Sequence, residues 1–166
     1  MTQHELAFVQ ETDIGMMARI HAASFDEVWS GVMLRRILSM PGTTGIAARL
    51  RRQWSVSGFA LIRVAADESE LLSLAVAPEH RGAGVGTLLL QGAIEHAREA
   101  GATRLFLEVA EDNAVARHLY EGHGLVPIGR RPEYYRHKDG STSAAVTMSY
   151  DLASATRTPR PEHSFR

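Results

Sequence analysis

The sequence predicts one mixed α/β (α+β) domain with a largely antiparallel sheet of about seven strands and about four flanking helices. Two observations carry this. The segments follow one another in the order β-α-α-β-β-β-α-β-α-β-β, so three strand-like runs stand in direct succession before the first glycine-rich turn. The chain has 166 residues, 45% hydrophobic and 22% charged, which is the size and composition of one soluble domain with a real core.

Residues 5–10 read as the first strand. Asp13 is placed to cap a helix running to about Phe25, and Ser30 a second one that ends before Pro41 and Gly42. Strands follow near 44–50, 55–65 and 70–77. Asp67 and Glu68 form the polar turn between the last two, and Pro78 stops the third. After RGAGVG (81–86) a helix runs from Thr87 to about Ala100, with Leu88, Leu89, Ala93, Ile94 and Ala97 as its apolar stripe. LFLEVA (105–110) is a short strand. Asp112 or Asn113 caps the next helix, which ends near Gly122-His123-Gly124. Strands near 125–130 and 144–151 flank a loop whose Asp139-Gly140 suits a hairpin turn. The domain spans 1–152, and the polar, proline-containing residues 153–166 read as a disordered tail.

Composition narrows the function. A net charge of −1 gives no general attraction to nucleic acid, and the tail arginines Arg157, Arg160 and Arg166 read as solvated rather than RNA-binding. There is no cysteine, which removes disulfides and thiolate metal sites and fits a cytoplasmic protein. The first residues show no basic segment leading into an apolar run, so no signal peptide is expected, and no run is long enough for a membrane helix. The eight histidines include no H-x-x-x-H pair, so no metal is expected.

Two features ask for chemistry. Gly82, Gly84 and Gly86 alternate at a strand-to-helix junction, where backbone N–H groups and the helix N-terminus could cradle a phosphate with Arg81 at one side. A tight turn alone has the same pattern. No G-x-x-x-x-G-K-[ST] occurs, and the strands before the loop do not form the βαβ unit of a dinucleotide fold. The second feature is Glu108, a carboxylate inside an apolar strand. A buried carboxylate is costly unless paired, so Glu108 either lies at an opening or is there to handle protons, with a purely structural pairing to a neighbouring arginine as the plain alternative.

ESELLSLAVAPEHRGAGVGTLLL (68–90) and FLEVAEDNAVARHLYEGHGL (106–125) resemble the GCN5-related N-acetyltransferases (GNAT). Within them the chain is most similar to the bacterial ribosomal-protein-alanine acetyltransferases, through HAASFDEVWS (21–30) and GRRPEYYRHKDG (129–140), and the resemblance covers about residues 5–150. It implies a sheet splayed into a V-shaped cofactor cleft, and acetyl-CoA as donor. It assigns Leu74, Ala75 and Val76 to a bulged strand pairing with the pantetheine arm. Arg81, Gly82, Ala83, Gly84, Val85, Gly86 and Thr87 fall to the pyrophosphate loop, and Asn113 to a further cofactor contact. Glu108 becomes the proton acceptor and Tyr120 the proton donor. The sequence departs from the pattern at Gly124-Leu125, in a hairpin one residue longer before Tyr134-Tyr135, and in Ser141-Thr142-Ser143 where an acidic residue is usual.

The chemistry suits these residue types. An α-amine has a pKa of about 7.7–8.0 against about 10.4 for lysine, so a carboxylate has an easy proton to take, directly or through water. A tyrosine stays protonated at neutral pH and can give its proton to a thiolate. N–H groups freed by a bulge near Leu74–Val76 could hold an oxyanion. Asn113 and Tyr120 are seven apart, on one helix face. Each has a plain alternative: Tyr120 as a core aromatic, Asn113 as a helix cap. On the acceptor side, Phe25 and Trp29, four apart, suit either a core stripe or a cleft wall. Tyr134 and Tyr135 face opposite sides of a strand, so at most one enters the cleft. The resemblance implies transfer of acetyl to the N-terminal α-amine of a protein, most specifically the N-terminal alanine of a small-subunit ribosomal protein. The alternatives are a small-molecule amine or lysine acceptor, and a non-catalytic acyl-CoA-binding regulatory module.

Overall fold

The computed structural model describes residues 3–154. Its strands are β1 (His4–Phe8), β2 (Thr43–Leu50), β3 (Val56–Ala65), β4 (Glu68–Val76), β5 (Arg104–Ala110), β6 (Val126–Arg136) and β7 (Thr142–Asp151). The helices are α1 (Ile14–Ser24), α2 (Gly31–Leu38), α3 (Val85–Glu99) and α4 (Ala114–Gly122). The strands form one sheet in the order β1-β2-β3-β4-β5-β7-β6. Every neighbouring pair is antiparallel except β4–β5, which is parallel. This is the predicted mixed, largely antiparallel class. The reading of 153–166 as a tail concerns mainly residues 155–166, which lie outside the described residues, as do Arg157, Arg160, His163 and Arg166.

Two apolar cores flank the sheet. On one face, Leu89, Leu90, Ala93 and Ala97 of α3 and Tyr120 of α4 pack on Ala60, Ile62, Leu105, Leu107, Val109 and Met148. On the other, Ile14, Met17 and Ile20 of α1 and Leu34 and Ile37 of α2 pack on Ala47, Phe59, Leu61 and Ala75. The second core takes no residue from β5, β6 or β7. Those strands therefore keep one face open.

The helix ends follow local chemistry. Ser30 Oγ accepts from the Met33 N–H, the expected cap of α2. At the end of α4, Gly124 takes a left-handed φ of 91°. The Leu125 and Gly124 N–H groups close on the Tyr120 and Glu121 carbonyls.

Several expectations need correction. Asp13 precedes α1, but its side chain does not cap that helix. A 3-10 turn over Glu11–Asp13 comes first, and the Asp13 carboxylate accepts from the Gln10 N–H at 2.7 Å and pairs with buried Arg49 at 2.5 Å. The β3–β4 turn is Ala66-Asp67, with Glu68 already in the strand. Helix α3 begins at Val85, not Thr87, because Gly84 itself occupies the N-cap position. Strand β6 runs to Arg136 rather than 130. It is an edge strand, where Pro127 and Pro132 are tolerated, and bulges absorb its extra residues. The bulge in β4 is at Leu72, not at 74–76. Leu61 pairs with Ser73 and Ile62 with Leu71, while Leu74, Ala75 and Val76 keep regular register with β3.

Strands β4 and β5 pair only at Glu68–Arg104, Ser69–Leu105 and Glu70–Phe106. Beyond that seam Leu71–Val76 and Leu107–Ala110 have no partner across the gap. The sheet splays there, and the candidate site gathers around the opening.

Candidate active site

The loop into α3 is built from exposed backbone. Gly82 and Gly84 have φ of 75° and 81°. A Cβ at either would meet nothing within 4 Å, so conformation rather than crowding calls for glycine there. Among the described residues, no backbone carbonyl lies in hydrogen-bonding geometry for the N–H groups of Gly82, Ala83, Gly84, Val85, Gly86 or Thr87. Six consecutive donors at the N-terminus of a 15-residue helix make a ready site for an anion. Val85 contributes through its backbone, since its side chain is in the core.

Arg81 does not point into this loop. Its Nε donates to the Val76 carbonyl at 3.1 Å, and its Nη2 to Ser24 Oγ at 3.2 Å and the Ala23 carbonyl at 3.4 Å. It ties the end of β4 to the end of α1. The Val76 carbonyl is thereby engaged, and since the Ala77 N–H donates to the Ser57 carbonyl, alternation turns the Ala75 backbone groups to β3 and those of Leu74 to the open edge.

Glu108 alternates along β5 with Leu107 and Val109, which are in the α3–α4 core, so it faces the open side. Its side chain is 24% exposed, and Oε1 lies 3.3 Å from Arg131 Nη2. The carboxylate therefore lies at an opening and also has an arginine. Because Arg131 is itself 62% exposed, the pair holds Glu108 only weakly. Across the seam, Glu70 is exposed at its side chain, and its pKa is raised, first by partial desolvation and then by the Glu108 charge. Sequence reasoning passed over Glu70, although an acid two residues into an apolar strand was a visible signal.

Tyr120 is buried at 7% exposure among the α3–α4 core residues, and burial, with a smaller contribution from Tyr135, pushes its pKa up to about 12. Tyr135 is pushed to about 12 as well, by burial first and then by Glu108. Tyr135 thus lies within electrostatic reach of both Glu108 and Tyr120. Tyr134 is 51% exposed, beneath the Arg131 guanidinium at 5.4 Å, and its ring meets the Tyr135 ring edge-on at 5.2 Å, so the two do not face opposite sides as strand alternation predicts. The bulge between Arg131 and Tyr135, with Glu133 at a φ of 52°, takes up the longer hairpin and sets these two orientations.

Asn113, not Asp112, caps α4: its Oδ1 accepts from the Ala116 N–H at 3.2 Å. Its own backbone is not helical, so it stands at the rim of α4 rather than on a helical face with Tyr120. Phe25 and Trp29 pack at the edge of the second core around His21, which the sequence reading left out. The His21 ring stacks on Trp29 at 4.8 Å and lies 4.5 Å from Phe25, and its Nδ1 accepts from the Trp29 N–H. Burial lowers its pKa to about 4, so it is neutral. The spacing His21, Phe25, Trp29 carried that signal. Phe25 and Trp29 are both half-buried against the second core, each leaving part of its ring uncovered. No group of three or more possible metal ligands occurs among the described residues.

The family model for the acetyltransferase (GNAT) family matches residues 14–125. The chain belongs to the GNAT acetyltransferase family. The [ribosomal protein bS18]-alanine N-acetyltransferase of Haemophilus ducreyi is 31% identical over 144 residues, covering 87% of this chain and 97% of that one. The protein of the same name from Escherichia coli K12 is 28% identical over 141 residues, covering 85% and 93%. The crystal structure of the ribosomal-protein-S18-alanine N-acetyltransferase from Escherichia coli matches with a TM-score of 0.83 at 25% identity, over 95% of this chain and 99% of that one. Ard1 from Thermoplasma volcanium matches with a TM-score of 0.80 at 25% identity, over 90% and 98%.

Proposed function

We propose that this GNAT protein transfers acetyl from acetyl-CoA to the N-terminal α-amine of a protein, most specifically the N-terminal alanine of a small-subunit ribosomal protein, in the cytoplasm. The observation that carries the reading is the splayed β4–β5 seam, with six unpaired N–H groups at one end and Glu108 on its wall. The names of the relatives supply the acceptor class. No helix among the described residues is long and apolar enough to cross a membrane.

The donor supplies an activated thioester, and the amine nitrogen displaces its sulfur. The Gly82–Thr87 loop would hold the pyrophosphate, with Leu74 on the free edge of β4 beside the pantetheine arm and Asn113 at the rim. The free amide nitrogen of Asn113 has no protein partner among the described residues. Glu108 takes the amine proton, directly or through a water, once the incoming ammonium displaces Arg131. The sulfur leaves as a thiolate and takes one proton from solvent, matching the one Glu108 removes from the amine. With a pKa near 12, Tyr120 would hold that thiolate as a hydrogen-bond donor, since full transfer to a more acidic thiol is uphill. Leu72 replaces Leu74–Val76 as the bulged position that can free a backbone N–H for the oxyanion.

Peptides with a free or an acetyl-blocked N-terminus test the acceptor. Free peptides beginning with alanine should react, and blocked ones bearing lysine should not. Equal rates on the two would replace the α-amine with a lysine side chain. Binding of acetyl-CoA with no turnover on any amine would replace the enzyme with a binding module.

A further inference from the structure

His137, at the end of β6, touches three other segments. Its Nδ1 is 3.2 Å from Asp26 Oδ2 in the α1–α2 loop. Its Nε2 is 3.0 Å from Ser143 Oγ on β7 and 3.3 Å from Asp112 Oδ2 in the β5–α4 loop. The charged groups facing the ring are thus Asp26 and Asp112, with Asp139 of its own turn. The Asp139 carboxyl is held below the usual range by Ser141 hydrogen bonds first and by His137 to a smaller degree. A neutral imidazole has one N–H and cannot donate to carboxylates on both of its nitrogens, whereas an imidazolium can. The three segments it joins carry Tyr135, the Phe25–Trp29 wall and the approach to Asn113.

We propose that His137 is a positioning residue that clasps the β6–β7 hairpin to the α1–α2 and β5–α4 loops and so sets the width of the acceptor slot. The proposal rests on the acceptor reading above, which makes this face the slot. Asp26 and Asp112 are 43% and 59% exposed at the side chain, so each contact is modest.

The test has a kinetic and a spectroscopic arm, both on the full chain. His137→Ala should raise KM for an alanine-terminated peptide roughly two- to fivefold, the range of exposed polar contacts. The acetyl-CoA KM and kcat should stay within about twofold. Asp26→Asn, which leaves the ring in place, should raise the peptide KM in the same direction, and His137→Gln, which keeps a donor, should recover part of the loss. In the substrate-free protein, His137→Ala should shift the Tyr135 and Trp29 ring NMR signals. An unchanged peptide KM in His137→Ala overturns the proposal, as does a uniform loss of kcat and both KM values in His137→Ala and Asp26→Asn. Tyr135 and Trp29 signals blind to His137→Ala overturn it too. If alanine-terminated peptides prove inert, the acceptor reading fails alone, and the NMR coupling still decides the clasp.

Discussion

The two arms of the sheet differ in what covers them. Strands β2–β4 have α3 on one face and α1 and α2 on the other, and β3 is buried at seven successive positions from Val56 to Ile62. Strands β5, β7 and β6 are covered on one face, and every residue of β6 except Tyr135 is exposed. Glu108, Arg131 and the two tyrosines of the hairpin all belong to the second arm. A face packed by helices has no room for an acceptor, and a face without helices has little packing to hold it. The chain resolves this by joining the arms through three residue pairs and letting the rigid one carry the fold.

If that division is right, truncation should separate stability from chemistry. Phe59→Ala, at a fully buried site of the packed arm, should lower unfolding free energy by about 3–5 kcal/mol. Ile128→Ala, 53% exposed on β6, should stay within about 0.5 kcal/mol. Urea unfolding followed by circular dichroism measures both. Similar losses would mean that the open arm is packed by contacts as strong as the core.

Glu108→Gln should give the opposite signature. Loss of a positioned general base lowers kcat by about a hundred- to a thousandfold. The urea midpoint and the affinity for acetyl-CoA should barely move, because the side chain is on the open face and the cofactor loop lies elsewhere. A large fall in stability would make Glu108 a structural member of the Arg131 pair instead.

Acid sharpens the contrast from the other side. His21, in the packed arm, has a folded pKa of about 4 against 6.5 for a free histidine side chain. Between those values the unfolded chain binds more protons than the folded one, so stability rises with pH there. Its contribution is intact above about pH 6.5 and is lost as pH falls toward 4, by on the order of 1–3 kcal/mol. His21→Leu should flatten that slope in unfolding curves measured at a series of pH values. An unchanged slope would assign the acid sensitivity to other groups.

What the sequence made legible follows the same division. The α3 stripe, the Ser30 cap, the glycine loop and the Gly124 helix stop depend on near neighbours, and the structure has them where local rules put them. Asn113 resolved from a two-residue choice by one hydrogen bond. Asp13 departs from the local rule because its partner, Arg49, is 36 residues away, and leaving that buried cation unpaired would cost more than an exposed cap gains. The β4 bulge falls earlier than β4 alone suggests, because register is fixed by β3. The charged and proline-containing half of β6 carries no strand signal, since an exposed edge strand lacks the alternation that marks a buried one. Phe25 and Trp29 are ambiguous in sequence because the ring between them, His21, is a contact the spacing alone does not show.

The smallest effect probes how the open arm keeps its shape. Between Arg131–Ala145 and Tyr135–Ser143, β6 fits Pro132, Glu133 and Tyr134 against the single residue Ala144, with Glu133 in the left-handed region. That conformation costs a side-chain-bearing residue about 1 kcal/mol, and glycine there would remove the strain. Glycine also adds freedom to the unfolded chain, worth roughly 0.5–1 kcal/mol in the other direction. The two nearly cancel, so Glu133→Gly should shift unfolding by no more than about 0.5 kcal/mol. Glu133→Val should lose about 1 kcal/mol or more, because a β-branched residue fits that region worst. This pair of results would mean that backbone geometry, not side-chain contact, aims Tyr135 inward. A loss above about 1 kcal/mol in Glu133→Gly would instead credit the carboxylate, and the open arm would then depend on its charges for form as well as for chemistry.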